Sequence, residues 1–147
     1  MRYIPNTLYK RILEVIPIPC VDAVIVNRGA FLLGKRANRP SKGKWFAPGG
    51  RVIKGETFER ALKRIIREET GISKISVLRQ LVTGHTIHKT SAQGPGSHTI
   101  NTAYLVEVPD RKLGKGDGQN SEFRWFTKIN KSWNPYMIES LRRAGFK

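Results

Sequence analysis

The stretch from Gly49 to Ile72 constrains this chain more than any other. Gly49-Gly50-Arg51-Val52-Ile53-Lys54-Gly55-Glu56 leads into a helix expected over Thr57 to Thr70, and Gly71-Ile72 closes it. Phe58, Ala61, Leu62, Ile65 and Ile66 recur at helical spacing and make one apolar stripe. Gly71 is a C-terminal stop signal. At about 100° per residue, Glu69 falls in the middle of that stripe, and Glu68 lies at its edge one turn after Arg64. A carboxylate on the packed side of a helix is costly unless something cationic meets it. An arginine would make Glu69 a structural ion-pair partner, and a metal would make it a ligand. The helix alone favours neither.

The rest of the chain reads as strands interleaved with that helix. Asn6 to Val15 is a short amphipathic helix, ended by Pro17 and Pro19. Cys20 to Asn27 and Ala30 to Lys35 form a hairpin around Arg28-Gly29. Arg36 to Lys44 is a basic loop with Pro40 and Gly43, and Trp45-Phe46-Ala47 is a short strand that delivers Pro48-Gly49-Gly50. Ile75 to Thr90 is extended, Ser91 to Ser97 is a loop, and Thr99 to Val108 is a strand. Pro109 to Gln119 is a second loop, and Glu122 to Thr127 is a strand. The last helix has Asn134 as N-cap, Pro135 in its first turn and Gly145 past its end. With no repeat or linker, the 147 residues read as one domain, 1–147. The pattern fits an α+β sandwich.

Charge narrows the partners. Lys plus Arg is 27 against 11 Asp plus Glu, a formal +16, which points to phosphates, nucleic acid or anionic lipid. The basic residues are spread along the chain, with one cluster at Lys35, Arg36, Arg39, Lys42 and Lys44. The lone Cys20 excludes an internal disulfide and sits in an apolar run. The apolar stretch Ile12 to Val26 carries Glu14, Pro17, Pro19 and Asp22, so no membrane span is expected. A signal peptide is not evident either, and the expected location is cytoplasmic.

Gly50, Glu56, Arg64, Glu68, Glu69, Gly71 and Ile72 stand at the spacing of a known signature. It reads glycine, five residues, glutamate, seven residues, arginine-glutamate-aliphatic, one residue, two glutamates, one residue, glycine, aliphatic. The stretch resembles the box of the Nudix hydrolases, and Ile65 stands at the one fixed position that departs. Further residues narrow the resemblance: Phe31 to Arg36, Asn38-Arg39-Pro40, Gly43, Trp45-Phe46 and Pro48 to Val52. With them the chain is similar to the GDP-mannose mannosyl hydrolase branch, which also has an aliphatic residue where Ile65 stands.

The resemblance implies a Nudix-type α/β/α sandwich with a mixed sheet between helices. It also implies a homodimer that uses Mg²⁺, with Mn²⁺ as a substitute, to release the sugar from a GDP-sugar by water attack at the anomeric carbon. Mapped onto this chain, the metal ligands are the Gly49 carbonyl, Glu69 and Gln119. Arg36, Arg51 and Arg64 hold phosphates or stabilise the leaving diphosphate. Asp22, His88 and Tyr104 contact substrate, Asp22 on the sugar, and His85 competes with His88. Independently of the resemblance, hard oxygen donors suit a cation that neutralises phosphates, and the planar fork of arginine binds phosphate oxygens bidentately.

Two positions depart from the branch. Where it has a histidine base after the glutamine, this chain has Asn120, which takes up no proton near neutral pH. Glu68 is present where the branch often lacks a glutamate. The base is therefore expected at Glu68, Glu122 or His98. Alternatives are a pyrophosphatase attacking phosphorus in a nucleotide sugar, ADP-ribose or nucleoside triphosphate, and a nucleic-acid-binding module on a Nudix scaffold. The last is disfavoured, because aromatics are not interleaved with basic residues as a stacking platform needs.

Overall fold

The computed structural model describes residues 4–38, 41–91 and 94–147. Arg39 and Pro40 of the basic loop, and Ala92 and Gln93 of the loop after the long extended segment, lie outside the described residues. The elements, in chain order, are α1 (Asn6–Val15), β1 (Ile18–Asn27), β2 (Ala30–Arg36), β3 (Trp45–Phe46), β4 (Gly49–Arg51), α2 (Phe58–Thr70), β5 (Ser76–His88), β6 (Ser97–Glu107), β7 (Asn120–Phe126) and α3 (Pro135–Arg143).

Among the described residues they build one seven-stranded mixed sheet, ordered β3-β2-β1-β6-β5, with β4 also on β1 and β7 also on β2. β1 and β6 run parallel over Ile18 to Val26, and every other pair is antiparallel. That parallel ladder explains why β1 begins at Ile18 and not at Cys20: Ile18 and Pro19 pair with Thr99 and Ile100.

The sheet forks at β1. Only Val26 and Asn27 pair with β2, whereas Cys20, Val21 and Asp22 pair with β4. The short strand β4, not foreseen from sequence, thus brings Gly49 and Gly50 beside Asp22.

Strand alternation sorts two cores onto the two faces. Val21, Ala23 and Ile25 of β1 pack with Ala61, Leu62, Ile65 and Ile66 of α2. Val24, Phe31 and Leu33 pack with Met137 and Leu141 of α3. The sheet therefore lies between helices, as an α+β sandwich requires. α2 starts one residue later than expected, because Thr57 is its N-cap and accepts from the Arg60 N–H at 3.3 Å. Gly71 ends it in a left-handed conformation at φ 73°. No helix among the described residues is long and apolar enough to cross a membrane.

Candidate active site

The fork opens a cavity of about 660 Å³. From the α2 side it is lined by Arg64, Ile65, Glu68 and Glu69, and at the fork by Gly49, Gly50 and Arg51. Arg36, Asp117 and Gln119 close one rim, with His88 at the end of β5. Asp22, Asn101 and Tyr136 face it from the α3 side.

Gly49 is the pivot. Its N–H donates to Glu69 Oε1 at 3.2 Å. On its other side a Cβ would stand 2.0 Å from Asp22 Oδ1, so any side chain at 49 would collide with that carboxylate. Two carboxylates from opposite faces of the sheet thus meet one glycine. Asn120 Nδ2 donates to Glu69 Oε2 at 3.0 Å. Burial pushes Glu69 up to about 7, although the Asn120 and Gly49 hydrogen bonds pull the other way. Burial likewise pushes Asp22 up to about 6, against donated bonds from Asn101 and Tyr136. Among the described residues neither carboxylate has an ion-pair partner, so Glu69 is not the structural ion pair that the helix alone allowed.

Glu56 is built differently. Its Oε1 accepts from Arg64 Nε at 2.7 Å and its Oε2 from Arg64 Nη2 at 2.9 Å and from the Ile53 N–H at 3.0 Å. The arginine holds its carboxyl down at about 2. Arg64 also donates to the Arg51 carbonyl at 3.0 Å and to Glu68 at 3.3 Å. Four of its five donors are thereby committed, and it holds the Gly50–Glu56 turn against α2 while its edge still lines the cavity. Arg51 lies over the Tyr9 ring at 4.6 Å, and Arg36 has a buried Nε without a partner. A buried orphan guanidinium donor at a cavity wall is a ready anion contact.

Three sequence expectations fall elsewhere. Tyr104 does not line the cavity. It alternates onto the α2 face, where its ring packs tilted on Phe58 at 6.0 Å. Glu122 points away as well. A bulge between Lys35 and Arg36 pairs Asn120 with Arg36 but Glu122 with Lys35, so Asn120 reaches Glu69 while Glu122 turns to the opposite face and pairs with Arg124 at 2.5 Å. That bulge also starts β7 at Asn120, before the expected Glu122. His98 is turned from the cavity and meets His85 at 3.3 Å. Of the two competing histidines, His88 lines the cavity and His85 does not.

Asn101, Asp117 and Tyr136 are cavity residues that the sequence reading passed over. Alternation along β6 puts Thr99, Asn101 and Ala103 on one face, a visible signal once one member is placed. The Asn134-Pro135 cap places Tyr136 on the first turn of α3, but nothing local says that this turn sits over Asp22.

A divalent cation suits the donors at this fork. Among the described residues no three His, Cys, Asp or Glu side chains form a ready metal group. Glu69 and Gln119 nonetheless line the cavity beside Gly49, and oxygen donors of this kind suit a hard divalent cation, which needs few protein ligands when phosphates complete the shell. A desolvated carboxylate without a cationic partner also gains most from such an ion.

The cavity thus stands on a glycine turn, with Glu68 and Glu69 of one helix and Arg36, Arg51 and Arg64 in its lining. The NUDIX domain model matches residues 17–130, and the chain belongs to the Nudix hydrolase family, whose members generally use divalent metals. The low-salt glycan biosynthesis protein Agl8 of Haloferax volcanii is 36% identical over 140 residues, 94% of this chain and 88% of that protein. The ADP-ribose pyrophosphatase of Methanocaldococcus jannaschii is 35% identical over 108 residues, 73% of this chain and 61% of that protein. Among solved structures, the MutT Nudix hydrolase of Burkholderia pseudomallei superposes with a TM-score of 0.65 at 28% identity, covering 87% of this chain and 98% of that one.

Proposed function

We propose that this chain hydrolyses nucleoside diphosphate sugars, with GDP-mannose the first substrate to try, and that water attacks the anomeric carbon. The observation that carries the reading is the pair of carboxylates on either side of Gly49. Glu69 faces the arginine-lined wall where a diphosphate fits, and Asp22 faces hydroxyl and amide groups where a sugar fits. The relatives' names support the substrate class and not the bond that breaks: one is a glycan biosynthesis protein, and another is a pyrophosphatase of ADP-ribose.

In this reading Arg36 and Arg51 hold the diphosphate, and Arg64 keeps the turn in place with one N–H left for the leaving group. Glu69, the Gly49 carbonyl and Gln119 hold the cation, which neutralises phosphate charge when bound. Asp22 accepts from a sugar hydroxyl and faces the positive charge that develops at the anomeric carbon. The carbon–oxygen bond breaks and its electrons leave with the diphosphate. Asn120 holds Glu69 and moves no proton. Of the three expected bases, Glu68 is the one on the cavity wall. His88 reaches the bound substrate from the rim.

One observation favours a second reading, attack at phosphorus: Glu68 and Asp117 line the cavity with Glu69, a carboxylate-rich wall suited to cation-bound phosphates. The test is a panel of nucleoside diphosphate sugars, ADP-ribose and nucleoside triphosphates with Mg²⁺ or Mn²⁺, with products read by mass. A nucleoside diphosphate plus free sugar supports the proposal. A nucleoside monophosphate plus sugar phosphate overturns it in favour of the second reading.

A further inference from the structure

Asp22 is held in part from outside the matched family segment. Its Oδ2 accepts from Tyr136 Oη and from Asn101 Nδ2, each at 3.0 Å. Thr99 Oγ1 donates to Asn101 Oδ1 at 2.6 Å, which fixes the amide with its NH₂ toward Asp22. Tyr136 comes from α3, beyond residues 17–130. Its position is over-determined. The Asn134 side chain caps the Tyr136 N–H at 2.9 Å, and the Ser140 hydroxyl donates to the Tyr136 carbonyl at 2.8 Å. Beneath its ring lies Gly84 of β5, where a Cβ would stand 2.9 Å from Tyr136 Cδ2. Tyrosine and glycine fit as ring and bare backbone.

With Oδ2 given to two donors, Oδ1 lies against Gly49, and the carboxylate is part of the cavity lining. A carboxylate acceptor attracts hydroxyl hydrogens and repels phosphate oxygens. It therefore reads a polyhydroxylated group and rejects a further phosphate at the same place. A swinging Asp22 would lose that discrimination.

We propose that Tyr136 is a specificity-determining positioning residue: with Asn101 it locks Asp22 as the hydroxyl-reading group of a glycosyl subsite. The inference rests on the nucleoside diphosphate sugar reading and adds which residue outside the matched segment sets sugar selection. Tyr136 acts through Asp22 and does not touch the reacting atoms. Its effect is confined to the sugar and leaves the diphosphate contacts of Arg36 and Arg51 intact.

The test compares Tyr136→Phe and Gly84→Ala with the wild-type chain. Tyr136→Phe removes the hydroxyl and keeps the ring on Gly84, and Gly84→Ala pushes the intact ring aside. The readouts are kcat/KM for GDP-mannose, the inhibition constant of GDP, which carries no sugar, and the melting temperature. A hydrogen bond to a charged group lost from the sugar subsite is expected to lower kcat/KM about 10–100-fold. The GDP inhibition constant stays within about twofold by the same reasoning, since no phosphate contact changes. Both variants are expected to show this split. Equal losses on GDP-mannose and GDP would make Tyr136 a structural residue and overturn the inference. So would unchanged turnover of GDP-mannose in folded Tyr136→Phe. Wild-type protein that binds GDP but turns over no nucleotide sugar would overturn the proposed function, and the inference with it. That failure is seen in the wild type, whereas a failure of the inference alone is seen only in the variants.

Discussion

Glu56 and Glu69 flank the same helix, thirteen positions apart, and the chain treats them in opposite ways. Glu56 is gripped by Arg64 and a backbone N–H, and its carboxyl is held down at about 2. Glu69 receives only neutral donors in a buried place and is pushed up to about 7. The first arrangement stabilises the ionised form and ties the glycine turn to the helix. The second leaves an ionised carboxylate under-compensated, a cost to folding that a cation at the cavity would relieve. The difference teaches which half of the signature builds the site and which half works in it.

The comparison breaks most visibly in activity. Glu69→Gln is expected to lower kcat/KM by roughly 10²–10⁴-fold, since charge stabilisation through a held cation is worth several kcal/mol. Its melting temperature should be unchanged or higher at pH 8. The sign follows from linkage: a carboxyl raised in the folded state binds its proton more tightly there, so its contribution to stability falls as pH rises from its unfolded value of about 4.3 through about 7. Near-normal turnover at limiting Mg²⁺ would remove Glu69 from the ligand set.

Glu56→Gln should show the reverse pattern, with stability lost first. Its depressed value gives stability that is present above the unfolded pKa of about 4.3 and is lost as pH falls toward about 2. Removing the carboxylate should cost about 1–3 kcal/mol at pH 7 and flatten the acid limb of a melting curve taken between pH 5 and 2. Unchanged acid stability would mean that the ion pair is idle.

Arg36→Ala is a smaller perturbation. Loss of the guanidinium with the buried unpartnered Nε should raise KM for the nucleotide sugar about tenfold, the worth of one charge-assisted contact. The smallest expected change is in Asn120→His. Histidine can restore a proton acceptor beside Glu69, and a several-fold gain in kcat is expected, below the full general-base contribution of about 10²–10⁴-fold because the new ring is not aligned on the attacking water. Steady-state kinetics on both variants check these outcomes.

Much of the fold was legible because its signals are local. The caps Thr57, Gly71 and Asn134, the Arg28-Gly29 turn and the apolar stripe of α2 each act within a few residues. Asp22, Gly49 and Glu69 could also be placed at one site, Glu69 by the signature, and Gly49 and Asp22 by the similarity to the mannosyl hydrolase branch. What the sequence hid was parity. A single bulge at β7 sends Asn120 to Glu69 and Glu122 to the far face, and no local pattern announces it. Tyr104 looked equivalent to its neighbours until the parallel register with β1 set its face. Tyr136 was hidden for another reason: its contact with Asp22 spans 114 positions.

Hydrolysis of GDP-mannose in ¹⁸O-labelled water tests the central claim most directly. With the glycosyl group seated at Asp22 and the diphosphate on the arginine wall, the label should enter the released sugar and leave GDP unlabelled. Label in a phosphate-containing product would show attack at phosphorus and contradict the account.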